Sequence, residues 1–244
     1  CRSMNLSQVS PLKMFSQPLQ YLVPIFQRGY VWSIDKKQVT TLWSDIADRA
    51  EQVARYHELL EQAKKNGSAH MVSKPRRHFL GTVIVTEHQS GEAGAPYTSE
   101  VIDGQQRLTT TQLLALAFRH AIVGSDDPFE RRRLDVYTHN GEAYRLKHHS
   151  YKLWPTNAGH KEMESIAGAS SFEQVCEQFP VRTVGKGKAK KLIQRPLMVE
   201  AYLYFYGVIS IYLRGQDPSE KLDDGDEPFA DLNELIGIET DDTW

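Results

Sequence analysis

The sequence has 244 residues, of which 40% are hydrophobic and 25% charged, and its formal net charge is -2. This length and composition suit one or two globular domains and exclude a disordered chain, a collagen-like repeat and a disulfide-stapled miniprotein. No apolar run approaches the roughly 20 residues of a membrane-spanning helix, and the N-terminus lacks the apolar stretch of a signal peptide. We therefore expect a cytoplasmic protein that does not bind a membrane.

Charge is distributed unevenly along the chain. Residues 215–244 contain eleven Asp or Glu and one Lys, whereas residues 1–214 contain 28 Lys or Arg and 20 Asp or Glu, a net charge of +8. The positive net charge of residues 1–214 favours an anionic partner such as a nucleotide or a nucleic acid. We treat residues 215–244 as a separate acidic segment.

The N-terminal part combines an extended segment with a long helix. Residues 19–32 begin extended, and apolar residues then recur every three or four positions over 39–60. This periodicity predicts a helix, which Ser33 or Asp35 caps and which ends near Asn66.

Two strands and further helices follow. The β-branched run 79–86 predicts a buried strand, and a second strand over 97–102 leads directly into a helix that stops at Gly124. Helical patterns recur over 160–178 and 197–214. These signals predict an α+β fold in which a small sheet with helices is followed by a mainly helical region.

The strand-to-helix junction at 103–107 carries the strongest chemical signal. Backbone N–H groups at the start of a helix bind anions, and Gly104 lets a phosphate approach the backbone. Arg107 can neutralise phosphate charge, and Asp103 can hold Mg²⁺ or accept a proton from water. Gln105 or Gln106 can orient that water. The structural alternative is a capping box between Asp103 and Gln106, with Arg107 paired to a nearby acid.

A second candidate segment lies in the N-terminal extended region. Phe26, Tyr30 and Trp32 are interleaved with Gln27 and Arg28. Such aromatics can stack on a base while Arg28 contacts phosphate. The alternative is that the aromatic residues are core anchors, and we favour it for Trp32.

A basic stretch near the end of the chain is the third candidate. Residues 182–195 contain six Lys or Arg and no acid. They lack the spacing of a Walker A phosphate loop, so we interpret them as a flexible basic loop that contacts nucleic-acid phosphates. Its candidate contacts are Lys186, Lys188, Lys190 and Lys191.

Other catalytic classes have weak support. The nine histidines show no metal-binding spacing, and the Gly-x-Ser-x-Gly motif of hydrolases is missing from the sequence. A direct nuclease is therefore a third-ranked interpretation.

Four motifs in order give a family resemblance. Residues 23–32, 43–46, 78–81 and 101–110 together resemble the N-terminal domain of the GmrSD family of modification-dependent restriction enzymes. The resemblance is strongest over residues 8–125. It implies a ParB/sulfiredoxin-like α+β fold in that region, a helical region with the basic loop over 126–214, and then the acidic segment.

The resemblance also implies residue roles. Asp103, Gln105, Gln106 and Arg107 would catalyse hydrolysis of a nucleoside triphosphate (NTP), with Asp103 as the ligand of Mg²⁺. The implied NTP-binding residues are Gln27, Arg28, Gly104, Thr109 and Thr110. Phe26 is an implied sensor of modified DNA, and we add to it Tyr30 and the four lysines of the basic loop from the sequence pattern.

The expected function is thus an NTP-hydrolysing sensor domain of an antiphage restriction protein, with modified DNA and NTP as its partners. Full-length relatives continue into a C-terminal HNH-type nuclease domain, which we expect to lie outside these residues and to be regulated by this domain. A homodimer is a further possible assembly. The competing interpretation is a DNA-binding module without catalysis.

Overall fold

The computed structural model describes residues 6–122, 128–141, 144–156, 158–185, 191–218 and 232–236. The chain forms two compact units, one over Ser33–Thr82 and one that combines Cys1–Trp32 with Val83–Trp244. In chain order the elements are α1 (Pro11–Phe15), β1 (Leu19–Val23), α2 (Gln38–Lys65), a 3-10 helix (Ala69–Met71), β2 (Ile84–Val85), β3 (Tyr97–Asp103), α3 (Gln105–Ala121), α4 (Pro128–Thr138), a 3-10 helix (Lys147–Ser150), β4 (Leu153–Pro155), α5 (His160–Gly168), α6 (Phe172–Gln178), β5 (Thr183–Val184), β6 (Lys191–Leu192), α7 (Leu197–Leu213) and α8 (Leu232–Leu235).

The larger unit contains a four-stranded mixed sheet with the strand order β2-β3-β1-β4. The central strand β1 pairs in parallel with β3, where Leu22 faces Glu100, and with β4, where Tyr21 faces Leu153. Strand β2 pairs with β3 in the antiparallel direction. Because β1, β3 and β4 run in the same direction, their carboxyl ends meet at one edge of the sheet.

The core of this unit is centred on α7. This helix is apolar on all sides, as expected for a helix that is buried around its circumference, and Leu203 and Phe205 are almost completely buried. It packs against α3, which contributes the fully buried Leu113 and Leu116. Helix α5 adds Ile166 to the same core.

The predicted long helix is confirmed, but its start differs from the prediction. Helix α2 begins at Gln38, after Lys37 in a left-handed conformation with φ 60°, and neither predicted residue is its N-cap. Ser33 accepts a hydrogen bond from the N–H of Lys36 instead, in a turn that precedes the helix. Along α2 only Val39 and Leu42 are buried.

The buried strand predicted over 79–86 is wrong in its extent and burial. Only Ile84 and Val85 form a strand, which pairs with β3, and the register shifts between these two residues. Phe79 is 74% exposed. The β-branched run has strand propensity, but its contacts with β3 lie at its end, where the Thr86 N–H also donates to the Glu100 carbonyl at 2.9 Å. β propensity depends on such pairing.

The remaining predicted elements agree better with the structure. The strand at 97–102 and the helix at 197–214 are confirmed, and the pattern at 160–178 forms two helices, α5 and α6, rather than one. The α+β class is confirmed. The ParB-like assignment and the domain boundaries at 125/126 and 214/215 stay predictions.

Candidate functional site

Three chain connections leave the carboxyl edge of the parallel strands. They are residues 24–31 after β1, Gly104 after β3, and the segment that links β4 to α5. Thr156 joins two of them, because its N–H and its hydroxyl both donate to the carbonyl of Val23, at 3.0 and 2.8 Å. In open α/β sheets, ligands bind in a crevice at this edge.

The junction between β3 and α3 turns sharply at Gly104. This glycine is the N-cap of α3, has φ 84°, and no side-chain hydrogen bond caps the helix. The capping-box alternative is therefore wrong, since Asp103 is still the last residue of β3. An uncapped helix start offers backbone N–H groups to an anion.

The loop after β1 is joined to this junction by two glutamine side chains. The Gln27 amide nitrogen donates to the carbonyl of Ile102 at 2.8 Å, and the Gln105 amide nitrogen donates to the carbonyl of Arg28 at 2.8 Å. The two predicted motifs, which are more than 70 residues apart in sequence, are thus adjacent in the fold.

Gln106 fixes the next part of the loop. Its amide nitrogen donates to the carbonyl of Gly29 at 2.9 Å, and its side-chain oxygen accepts from the N–H of Val31 at 2.8 Å. The Tyr30 hydroxyl lies 2.8 Å from the Thr110 hydroxyl, which itself donates to the Gln106 carbonyl. Tyr30 is therefore the donor in that pair, and burial raises its pKa far above the usual value, so its proton is retained.

The charged residues of the junction remain accessible. Arg28 and Asp103 are exposed, and Arg107 is half-buried. Phe26, next to Gln27, is 77% exposed, which excludes a core anchor at this position. Trp32, for which we favoured the core, is half-buried. The edge thus combines two arginines, one carboxylate and an exposed aromatic ring.

Two of the predicted nucleotide-binding residues lie below this surface. Thr109 is 4% exposed and Thr110 is fully buried. In this structure Thr110 supports the loop through Tyr30. A direct contact of either threonine with a nucleotide stays a prediction.

The predicted basic loop is only partly described. Lys186, Lys188 and Lys190 lie outside the described residues, whereas Lys191 is exposed and pairs with Val184 between β5 and β6.

The sequence analysis missed the contribution of the β4–α5 connection. A Cβ added to Gly29 would lie 3.5 Å from the Cβ of Ala158, so the loop after β1 approaches this connection closely. Gly159 caps α5 in the same left-handed conformation as Gly104, with φ 93°. In the sequence, the only local indication of these turns was the glycine that precedes each helix.

The metal prediction rests on a single carboxylate. Within the described ranges, no group of three or more His, Cys, Asp or Glu could hold a metal ion. Mg²⁺ commonly binds through one or two carboxylates together with substrate phosphates. The exposed Asp103 fits that donor set only when a nucleotide supplies the remaining oxygen ligands.

The family is decided by a match along most of the chain. Residues 12–235 match the family model described as GmrSD restriction endonuclease, N-terminal domain. The chain belongs to this family. A search of curated proteins gives no match.

The GmrSD match spans the whole junction, from Phe26 to Thr110, and continues through α7. It supports a role in restriction and an interaction with DNA. Among the residues that the structure describes, no helix has both the length and the apolar character to cross a membrane.

Proposed function

We propose that this GmrSD-family chain is an NTP-binding and hydrolysing sensor domain that recognises modified DNA. In the full-length protein it would regulate an HNH-type nuclease domain. The observation that carries the proposal is the set of hydrogen bonds from Gln27, Gln105 and Gln106, which fixes the Arg28 loop beside the start of α3.

The phosphates would bind at the start of α3. Gly104 has no side chain to block their approach, and the first N–H groups of α3 lack a side-chain cap. Arg107 and Arg28 would stabilise the negative charge that develops on the transferred phosphate, as arginines do in other phosphoryl-transfer enzymes. The arrangement suits hydrolysis, since this reaction needs positioning and charge stabilisation more than covalent chemistry.

Asp103 is the candidate for water activation and for contact with Mg²⁺. A bound Mg²⁺ would neutralise phosphate charge. Asp103 is exposed at the end of β3, one residue before the glycine that admits the phosphate. Its carboxylate would orient the attacking water and accept its proton.

The two glutamines would position the site, contrary to the water-orienting role that their sequence context predicts. Both are almost fully buried, and both side chains bind the backbone of the loop after β1. Nucleotide contacts with Arg28 would therefore depend on Gln105 and Gln106 indirectly. Displacement of this loop by modified DNA, through the exposed Phe26, would couple DNA recognition to hydrolysis.

The test is phosphate release by the purified chain with each NTP and Mg²⁺, in the presence and absence of modified DNA. We expect Arg107→Ala and Asp103→Ala each to lower turnover about 100-fold or more, because each removes a group that acts in the transition state. Arg55→Ala is the matched control, because Arg55 is an exposed arginine on α2.

Thermal midpoints show whether each variant is folded. Full turnover in folded Arg107→Ala and Asp103→Ala would refute the assignment, and so would an equal loss in Arg55→Ala. Stimulation by modified DNA that disappears in Phe26→Ala would support the sensing role.

A second candidate function is a DNA-binding module without catalysis. It is favoured by the exposed tip of the loop after β1, where Ile25 is 71% and Phe26 77% exposed. This function predicts DNA binding that weakens steeply with salt, does not respond to nucleotide, and is accompanied by no phosphate release.

A further inference from the structure

A basic segment that the proposed function does not use lies in the unit Ser33–Thr82. Residues 62–82 contain five Lys or Arg, two His and no Asp or Glu. We call residues 74–78 the basic strip; its sequence is Lys-Pro-Arg-Arg-His. The strip has neither helical nor strand structure.

Two polar contacts hold the strip against α2. The Arg49 guanidinium donates to the carbonyl of Arg76 at 3.1 Å, and His78 Nε2 lies 3.3 Å from a carboxylate oxygen of Asp45. Asp45 and Arg49 are four residues apart, so they lie on the same face of the helix. The backbone of the strip therefore runs along one face of α2 in a fixed position.

The cationic side chains of the strip are on the surface. Lys74, Arg76 and Arg77 are exposed, and among the described residues none of the three forms an ion pair. The contacts with α2 use the carbonyl of Arg76 and the ring of His78. The three cations are thus held in place by the backbone without being neutralised.

Two of the five acids of α2 already have a basic partner. Asp45 faces His78 at 3.3 Å, and Glu61 pairs with Lys64 at 2.6 Å. Pro75 also restricts Lys74 to an extended backbone.

We propose that the basic strip binds the phosphate backbone of duplex DNA without reading its sequence. Lys74, Arg76 and Arg77 would each neutralise phosphate charge and release counterions. Such contacts fix the register of a protein on DNA, whereas other groups read the bases. The inference rests on the proposed function only in taking DNA as the partner.

The test is binding of an unmodified DNA duplex to the whole chain, in the absence of nucleotide, over a range of salt concentrations. The triple variant Lys74→Gln, Arg76→Gln and Arg77→Gln keeps the backbone contact with Arg49. We expect the slope of log K against log salt to lose about 3 in magnitude, and binding at about 0.1 M salt to weaken at least tenfold.

The matched control is the triple variant Lys13→Gln, Arg132→Gln and Arg145→Gln. It removes three exposed bases of the other unit and the same net charge. We expect most of the wild-type slope to remain in this control. Three outcomes would overturn the inference. They are an unchanged slope in the strip variant, an equal fall of the slope in both variants, and no duplex binding by the wild-type chain.

Two further measurements separate the possible failures. The single variants Lys74→Gln, Arg76→Gln and Arg77→Gln should each lower the slope by about 1, which tests the strip if the triple variant does not fold.

Phosphate release without DNA should be unchanged in folded strip variants. Loss of duplex binding with normal turnover supports the strip, whereas absence of turnover in the wild-type chain contradicts the proposed function alone. An acidic protein partner is indicated instead if the strip variant binds duplex DNA normally.

Discussion

Gln106 shows how one side chain can define the geometry of a site without touching a ligand. Its amide nitrogen and oxygen contact Gly29 and Val31, on the loop after β1. Gln112, six residues further along the same helix, is also buried, but its amide nitrogen donates to the carbonyl of Tyr137 at the end of α4. The two glutamines have the same chemistry and different partners.

We therefore predict that Gln106→Leu destabilises the protein and also weakens NTP binding. Removal of the amide leaves a half-buried N–H and a carbonyl of the loop without their partner, which costs about 1–3 kcal/mol in the free energy of unfolding. Loss of the loop's fixed position should also raise the Kd for NTP at least about tenfold, because ordering the loop then opposes binding. Denaturant titration and nucleotide titration measure the two effects.

The control is Gln112→Leu. We expect a similar loss in the free energy of unfolding, about 1–3 kcal/mol, from the unpaired carbonyl of Tyr137. Its Kd for NTP should stay near that of the wild type. Equal weakening of NTP binding in both variants would show that general destabilisation, and not the loop after β1, is responsible.

At the scale of elements, the turn from β3 to α3 depends on a left-handed backbone at Gly104. Its φ of 84° suits glycine and is strained for other residues. Gly67 follows the end of α2 with φ 69°, and no atom lies within 4 Å of the position that its Cβ would take. These two glycines have the same backbone requirement, but only Gly104 lies in the candidate site.

We predict that Gly104→Ala and Gly67→Ala each lower the free energy of unfolding by about 1–2 kcal/mol through backbone strain. Only Gly104→Ala should also weaken NTP binding, because the new methyl group would occupy the path of the phosphate. Isothermal titration with a non-hydrolysable NTP measures this difference. Equal nucleotide affinity in both variants would contradict a phosphate position at this turn.

Helices with strong periodicity were predictable from the sequence. Helices α2, α3 and α7 were identified because apolar residues recur at helical spacing, and β3 was identified from its extended pattern. The start of α2 was not, since the turn around Ser33 uses the candidate capping residue for another hydrogen bond. The run 79–86 was overpredicted because its pairing with β3 is limited to the end of the run.

The site was predictable in its residues but not in its connections. The glycine between an apolar strand and an apolar helix indicated an anion site at residues 103–107. The bonds of Gln105 and Gln106 to residues 28–31 join segments 75 or more positions apart. A single sequence contains no local pattern for such a contact, so these glutamines were assigned to water and phosphate rather than to the loop.

Over the whole molecule, His120 links three parts of the core. Its Nε2 lies 3.1 Å from the carbonyl of Ala169, which only accepts, so Nε2 carries the proton. Its Nδ1 lies 2.6 Å from the Tyr202 hydroxyl and accepts a hydrogen bond from it. The ring therefore connects α3, α7 and the connection between α5 and α6 in its neutral form.

Burial lowers the pKa of His120 from 6.5 to about 4, with a smaller contribution from the nearby Arg119. The unfolded chain thus takes up a proton at higher pH than the folded chain does. The stability that depends on neutral His120 is complete above pH 6.5, and it is lost progressively as the pH falls from 6.5 towards 4. Between pH 6.5 and roughly pH 5 we expect a loss of about 2 kcal/mol from this residue.

The measurement is the free energy of unfolding against pH for the wild type and for His120→Gln. The variant is expected to be less stable at neutral pH, because a buried hydrogen bond is lost, and its stability should fall less steeply below pH 6.5. The difference in slope should approach about 1.4 kcal/mol per pH unit, the value for one proton. His139, whose pKa is also lowered by burial, titrates in both proteins and cancels in this comparison. Parallel pH profiles would mean that His120 is not held neutral in the folded core.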